Sequence, residues 1–444
     1  MSNIAERINR LPSTPTLRKI LFITGIGWVF VAMNQGMISG VMAAIGKDWA
    51  LTQGQLGWLG SIGMLGMAIG ATVSGILADR IGRKNVFAIN LVIFGIASLL
   101  AGLSFNYAML LAMRFISGYG LGGSGPVAFA YISEYSPTKI RGRNGILLES
   151  FWAWGWIFAA LIAYFFIPIY GWRAAFFIGA IPALYAIVLH KKAPESPRYL
   201  QTVNREKEAE AIVEKMEKEA GATYEEPATE PSNGTDVKRV TFKDLWSKKY
   251  LRITSVLWVV WFGVNFGYYG FVLWTPTLLL GKGFDLVKSF EFTLIMCLAQ
   301  LPGYYSAAFL VERIGRKKVL SIYFLGTAIS AWLFGHAGTS TEVLIYGSLL
   351  YFFALGAWGC VYAYSPEVYP TIARGTGTGW ATSFGRLGAF IAPFTVPVIY
   401  SFYGSETGFT YVFILLTLVF AAVATVVFLF GKETMGKSLE EINK

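Results

Sequence analysis

Charge is scarce in this sequence: 14% of its 444 residues are Asp, Glu, Lys or Arg, against roughly a quarter in an ordinary soluble protein. Cysteine and histidine are scarcer still, at 2 each. A disulfide scaffold needs a denser set of cysteines, and a structural zinc site needs grouped ligands, so neither a disulfide framework, a metal nor a resident cofactor is expected. No nucleotide-binding glycine loop, metal-ligand cluster or Ser-His-Asp set stands in the chain, and an enzyme is not expected either. The charges are also bunched: of the 37 basic and 26 acidic residues, 24 fall between residues 191 and 250. Apolar residues are plentiful, with 55% hydrophobic and 16% aromatic. So little polar surface cannot cover a water-facing globule of this size. The class is integral membrane.

A helix crossing a bilayer needs about 20 mainly apolar residues. Six such stretches precede residue 191, at 18–45, 54–78, 84–103, 106–134, 143–168 and 172–190. Six more follow residue 250, at 251–281, 288–312, 317–337, 341–367, 373–400 and 406–430. The short alternating segments of a membrane β-barrel are absent. The expectation is an all-α protein of twelve transmembrane helices: a six-helix bundle over 1–190, a linker over 191–250, and a second six-helix bundle over 251–444 with a short tail. One set of loops carries Arg7, Arg10, Arg18, Lys19, Arg80, Arg83, Lys84, Lys139, Arg141 and Arg143, then Arg313, Arg316, Lys317, Lys318, Arg374 and Lys432. The opposite set holds little beyond Lys47, Arg173, Lys282 and Lys288. Positive loops stay inside, which puts both termini and the linker in the cytoplasm. The same bias explains the net charge of +11, and a nucleic-acid partner is unnecessary. No removable signal peptide is expected. Cys297 and Cys360 fall inside spans and read as buried, inert thiols. The Glu- and Lys-rich stretch Asn204–Ala220 reads as solvated helix, and the sequon Asn233-Gly234-Thr235 would be silent on the cytoplasmic side.

Shifting the chain by 233 residues superimposes its halves. Asp79-Arg80-Ile81-Gly82-Arg83-Lys84 meets Glu312-Arg313-Ile314-Gly315-Arg316-Lys317, and Glu134, Pro137, Arg141 and Gly142 meet Glu367, Pro370, Arg374 and Gly375. Ser150-Phe151 meets Ser383-Phe384 at the same shift. Two six-helix halves in parallel repeat place a substrate site at their interface near the midplane, exposed to either side in turn.

Gly75-Ile76-Leu77-Ala78-Asp79-Arg80-Ile81-Gly82-Arg83-Lys84 resembles the loop 2–3 signature of the major facilitator superfamily. Pro194-Glu195-Ser196-Pro197-Arg198 and Gly431-Lys432-Glu433-Thr434 resemble markers of its sugar-porter and organic-ion branch. The resemblance implies alternating access, with Asp79, Arg83, Glu134, Arg141, Glu312, Arg316, Glu367 and Arg374 as a latch. Such carboxylate–arginine pairs can bridge the halves on the cytoplasmic face and break on switching. Exposed pairs contribute only about 0–1 kcal/mol each, which suits a latch that opens repeatedly.

Ionisable residues inside a membrane helix are costly and mark function. Arg114, Glu149 and Arg386 are the three here. In proton-coupled relatives an Arg like Arg114 pairs with an Asp in helix 1, and Asn34 stands where that Asp would be. An amide takes up no proton in the physiological range. Three readings stay open: a facilitator, a proton carried by Glu149, or an engineered Asn34 that blocks cycling. Glu149, Trp152 and Trp156 are spaced i, i+3, i+7 and share one helix face. They are read as a cavity wall; a lipid-facing band of Trp152, Trp154 and Trp156 is the alternative.

A sugar site needs many amide and hydroxyl partners, yet Val259 and Val260 stand where sugar transporters resembling this protein carry a glutamine pair. Rings dominate instead: Trp261, Tyr268, Tyr269, Trp358, Tyr362, Trp380 and Phe384, suited to stacking on a flat ligand. Arg386 can hold a carboxylate in bidentate geometry, with Asn265 and Gln300 as hydrogen-bonding partners. Leu147-Leu148-Glu149-Ser150-Phe151-Trp152-Ala153, Leu298-Ala299-Gln300-Leu301-Pro302-Gly303-Tyr304 and Gly356-Ala357-Trp358-Gly359 look like those of bacterial niacin permeases. That resemblance implies uptake of nicotinate or a similar small aromatic acid. The partners expected are a small-molecule substrate, protons as a candidate co-substrate, and the lipid bilayer around a monomer. An organic-cation transporter using Glu149 is the runner-up, and a sugar facilitator comes third.

Overall fold

The computed structural model describes residues 4–221 and 241–435; the sequon at Asn233 lies outside them. In chain order the helices are α1 (Ile4–Arg10), α2 (Pro15–Asp48), α3 (Gln53–Ile81), α4 (Arg83–Gly102), α5 (Tyr107–Tyr135) and α6 (Thr138–Phe165). Then come α7 (Ile167–Tyr170), α8 (Trp172–Ile178), α9 (Ile181–Lys192), α10 (Pro197–Thr202) and α11 (Glu206–Ala220). A 3₁₀ turn at Lys243–Trp246 leads to α12 (Leu251–Val272), α13 (Thr275–Gly281), α14 (Leu286–Ile314), α15 (Arg316–Gly335), α16 (Ser340–Val368) and α17 (Thr371–Phe430). Helices are the only long elements among the described residues, as a bilayer demands of a backbone that must satisfy itself.

Among the described residues, eleven helical stretches are both long and apolar enough to span a membrane. The twelfth expected span, α5, matches them with its 29 residues, but its glycines and serines dilute its hydropathy. Those residues are there for packing. A Cβ on Gly70 would lie 1.9 Å from the Tyr119 carbonyl oxygen, and one on Gly118 would lie 2.1 Å from that of Gly63. Helices α3 and α5 therefore touch backbone to backbone, which only small residues permit. In the second half, a Cβ on Gly303 would lie 2.1 Å from the Phe352 oxygen. Gly303 and Phe352 are Gly70 and Tyr119 shifted by the same 233 residues, so the repeat extends from loop motifs into helix packing.

Two expected spans are shaped differently from the sequence expectation. The sixth is broken between α8 and α9, and the seventh between α12 and α13, each new helix opening with a proline, Pro182 and Pro276. A missing N–H is harmless in a first turn and disruptive further in. The eleventh and twelfth are two spans, as expected, that meet within α17 at a kink at Gly404, whose φ of +72° suits glycine.

The linker helix α11 is not solvated all round, which corrects the expectation for Asn204–Ala220. Ala209, Val213 and Met216 are buried, the first two in a small core with Ile4 and Ile8 of α1 and Leu200 of α10. Arg7 clasps Glu217 through Nε at 2.8 Å and a second nitrogen at 2.6 Å.

The described helices form two compact units, one of Met1–Met37, Ile62–Ile162 and Ile169–Ser232, the other of Ile38–Ser61, Ala163–Pro168 and Asn233–Lys444. Within the second unit the end of α2 and the start of α3 pack on α12 and α17. Ser39 Oγ donates to the Val272 carbonyl at 2.9 Å and Ser61 Oγ to that of Phe390 at 3.1 Å. Trp58 meets Phe394 edge-on at 5.1 Å.

Candidate functional site

Two charged clusters repeat each other. Arg83, opening α4, donates to Glu134 at 2.9 Å, to Asp79 at 2.8 Å and to the Ala78 carbonyl at 2.8 Å. Arg316, opening α15, donates to Glu367 at 3.1 Å, to Glu312 at 3.0 Å and to the Val311 carbonyl at 3.2 Å. Each arginine fork thus joins three elements of its own half. The Asp79 and Glu312 side chains are 73% and 70% exposed, whereas those of Glu134 and Glu367 are 15% and 29% exposed. The inner pairs are more sheltered than the surface pairs expected from the sequence, and a sheltered pair is costlier to break by removing one partner.

The sequence reading missed the residues that close these clusters. Glu195 Oε1 accepts from the backbone N–H of Lys84 at 3.1 Å, and Ser196 Oγ donates to Glu134. Glu433 Oε1 accepts from the N–H of Arg316 at 2.9 Å, and Thr434 Oγ1 donates to Glu367 at 2.5 Å. Glu195-Ser196 and Glu433-Thr434 each follow the last helix of their half, and that common position was the available signal. Gly82 and Gly315, with φ of +98° and +102°, leave room for these carboxylates: a Cβ would lie 2.3 Å from Glu195 Oε2 or 2.5 Å from Glu433 Oε2. Arg141 donates to the Ser136 carbonyl at 3.4 Å. Burial, then the neighbouring Arg141 cation, lowers the Arg198 pKa, with Glu134 opposing. Arg374 is half-buried near the start of α17.

In the second unit, five rings form a connected set on α12 and α16. Trp261 meets Tyr362 at 5.2 Å and Trp358 at 6.5 Å. Trp358 in turn meets Tyr268 at 5.3 Å and Tyr269 at 6.2 Å. Trp380 and Phe384 do not join them; Trp380 lies against Phe242 at 4.5 Å, and Phe384 stacks on Trp258 at 4.2 Å. Asn265 Nδ2 donates to the Trp261 carbonyl at 2.8 Å, while its Oδ1 is buried with no hydrogen-bond partner. The helix α17 approaches here so closely that a Cβ on Gly385 would lie 2.8 Å from that amide nitrogen.

Gln300 of α14 is fully buried, one turn beyond Cys297, with whose thiol it shares a side-chain hydrogen bond. One turn on, Tyr304 covers Gly359 beside Trp358, where a Cβ would lie 3.1 Å from its ring. A carboxamide has two donor hydrogens and an acceptor oxygen, more than one thiol can occupy, so a buried one behind a ring set is suited to a ligand with acceptor atoms of its own. Arg386 is half-buried on α17, with no hydrogen bond, ion pair or ring contact among the described residues.

In the first unit, Glu149, Trp152 and Trp156 are all buried while Trp154 is 44% exposed. The two faces of α6 are thereby separated. Trp152 lies 5.0 Å from Trp28, and Trp28 lies 5.7 Å from Phe129. Trp156 covers Gly36, where a Cβ would lie 2.9 Å from the indole, so it also packs α6 on α2. Asn34 Nδ2 donates to the Gly179 carbonyl at 3.1 Å and its Oδ1 accepts from Ser117 at 3.4 Å. Arg114, one turn before Ser117, is buried, with Nε and one terminal nitrogen lacking hydrogen-bond partners. It forms no ion pair among the described residues.

Residues 24–444 match the profile of the family described as sugar (and other) transporter. The chain belongs to that family. It is 47% identical over 441 residues to a niacin transporter of Acinetobacter baylyi, covering 99% of each chain. It is 42% identical over 423 residues to a Bacillus subtilis protein named for niacin and nicotinamide transport, covering 95% of this chain and 98% of that one. A xylose transporter of E. coli, solved in a partially occluded inward open conformation, shares the fold with a TM-score of 0.75 at 20% identity, over 96% of this chain and all of that one. The protein is a multi-pass membrane transporter with the major facilitator fold, and not an enzyme.

Proposed function

We propose that this transporter carries nicotinate, or a closely similar small aromatic carboxylate, across the cytoplasmic membrane by alternating access. Its 1–190 and 251–444 bundles are the moving halves, and both termini lie in the cytoplasm, as the positive loops require. The observation that carries the reading is the ring set of Trp261, Tyr268, Tyr269, Trp358 and Tyr362 backed by the buried carboxamide of Gln300. Rings hold a flat heteroaromatic ligand by stacking. The Gln300 amide nitrogen donates to that ligand's ring nitrogen or carboxylate edge, both of them acceptors, and Arg386 supplies the counter-charge. The niacin-named relatives support the same substrate class.

Within the first half, Glu149 on the helix face of Trp152 and Trp156 tunes charge or carries a proton. Asn34 cannot exchange a proton, and its amide is engaged with Gly179 and Ser117, which supports facilitated transport through this position. The Arg83 and Arg316 clusters act as the latch, their forks breaking and re-forming as the halves exchange states. Ser39 and Ser61, packed on the backbone of α12 and α17, support closure on the side away from the positive loops.

A second reading, organic-cation transport, is favoured by the buried carboxylate of Glu149 on the same helix face as Trp152, since indoles and a carboxylate together suit a cation. Competition binding with nicotinate, nicotinamide, choline and glucose on purified protein separates the two. Nicotinate displacing itself and choline having no effect supports the first; choline binding that disappears in Glu149→Gln establishes the second.

A further inference from the structure

A groove of about 420 Å³ lies in the first unit where α2 and α4 begin, α9 ends and α11 crosses. Its walls carry Lys19, Lys84, Lys191, Lys192 and Lys215, with His190 beside them. None of these five lysines forms an ion pair among the described residues. The carboxylates nearby are already engaged. Glu219 accepts two bonds from Thr16, Glu195 caps the N–H of Lys84, and Glu208 is paired with Arg205 at 2.7 Å. The same bonds use the amides that open α2 and α4, so ammonium groups, not helix N-termini, hold whatever enters. The Glu195 and Glu219 carboxylates keep their charge when bonded to neutral donors, and five lysines against those two leave the concavity net positive and favour an anion.

The surface next to the groove says which kind of anion. On α9, Leu184 and Ile187 are 69% and 53% exposed, and at i, i+3 and i+7 they lie in line beneath Lys191. On α2, Phe22, 59% exposed, lies three residues beneath Lys19. A basic cup therefore stands directly over an apolar, membrane-facing strip. A free anion would use only the cup, whereas an amphiphile uses both. Basic pockets at the ends of transmembrane helices are suited to lipid phosphate.

We propose that this groove binds the headgroup of an anionic phospholipid from the leaflet on the positive-loop side. The lipid would fasten α11 to the ends of α2, α4 and α9, and through the α11 core with Ile4 and Ile8 it would fasten the N-terminal helix as well. The proposal rests on the orientation given above but not on the transported substrate.

The test is native mass spectrometry of purified protein mixed with equal amounts of phosphatidylglycerol and phosphatidylcholine, beside the variant Lys191→Gln/Lys192→Gln/Lys215→Gln. One retained phosphatidylglycerol is expected on the wild type, with retention about a hundredfold weaker in the variant and no displacement by inorganic phosphate. Equal retention of phosphatidylcholine, or undiminished retention by the variant, overturns the proposal. Displacement by inorganic phosphate also overturns it, by making this a free-anion site. Should the variant not fold, the wild type decides alone: phosphatidylglycerol in the micelle raises its unfolding temperature, and an unchanged temperature overturns the proposal.

Discussion

The side chain of Asn34 is bonded to the Gly179 carbonyl at 3.1 Å, which ties α2 to the α8–α9 break. Arg114, in turn, is left without a carboxylate. A buried guanidinium without a counter-ion is costly, and its position is fixed by close packing: a Cβ on Gly63 would lie 3.2 Å from it.

Asn34→Asp places an ionisable group within this setting. Uptake into proteoliposomes by the variant should be accelerated severalfold more by an acidic outside than uptake by the wild type. Unchanged gradient sensitivity would remove Asn34 from the account of coupling.

Gln300→Leu separates binding from folding. Replacing a buried amide whose partner is a thiol, a weak hydrogen-bonding group, by an apolar group of similar size should change stability by no more than about 1 kcal/mol. Nicotinate affinity should fall about tenfold or more, as expected when a ligand loses a buried hydrogen-bonding partner. Loss of both together would make Gln300 a packing residue. Thermal unfolding and equilibrium binding on the same preparation decide.

Gly82→Ala and Gly315→Ala should each destabilise the protein by about 1–3 kcal/mol, because both need positive φ and the new methyl meets a carboxylate. Gly142→Ala, where nothing lies within 4 Å of an added Cβ, is the control and should not destabilise. Equal melting temperatures for all three variants would contradict the paired-cluster geometry.

Arg83→Lys and Arg316→Lys keep the charge and lose the three-pronged fork. Turnover is expected to fall about tenfold in each, with nicotinate affinity within about twofold of wild type, since lysine cannot reproduce the guanidinium geometry. A drop in affinity with unchanged turnover would take the clusters out of the switching step.

Much of this fold was legible because a bilayer imposes long apolar segments and because the 233-residue repeat shows in both loops and spans. The breaks before Pro182 and Pro276 were also written in the chain, but apolar runs continue straight through them and hide them. The buried face of α11 had its period in Ala209, Val213 and Met216, masked by the surrounding Glu and Lys. Ring counts could not show that Trp380 and Phe384 stack with Phe242 and Trp258 instead of joining Trp358; that depends on which helix faces meet. The roles of Glu195 and Glu433 were hidden for a similar reason. A carboxylate that caps a distant loop has no local pattern, and only the folded chain brings Glu195 to Gly82.

Equilibrium binding of radiolabelled nicotinate to the purified wild type and to Arg386→Ala and Trp358→Ala tests the central claim most directly. The account predicts saturable binding by the wild type, displaced by nicotinate and weakly by nicotinamide, and reduced about tenfold or more in each variant. Unreduced binding in Arg386→Ala, or a wild type that binds choline or xylose and ignores nicotinate, would contradict it.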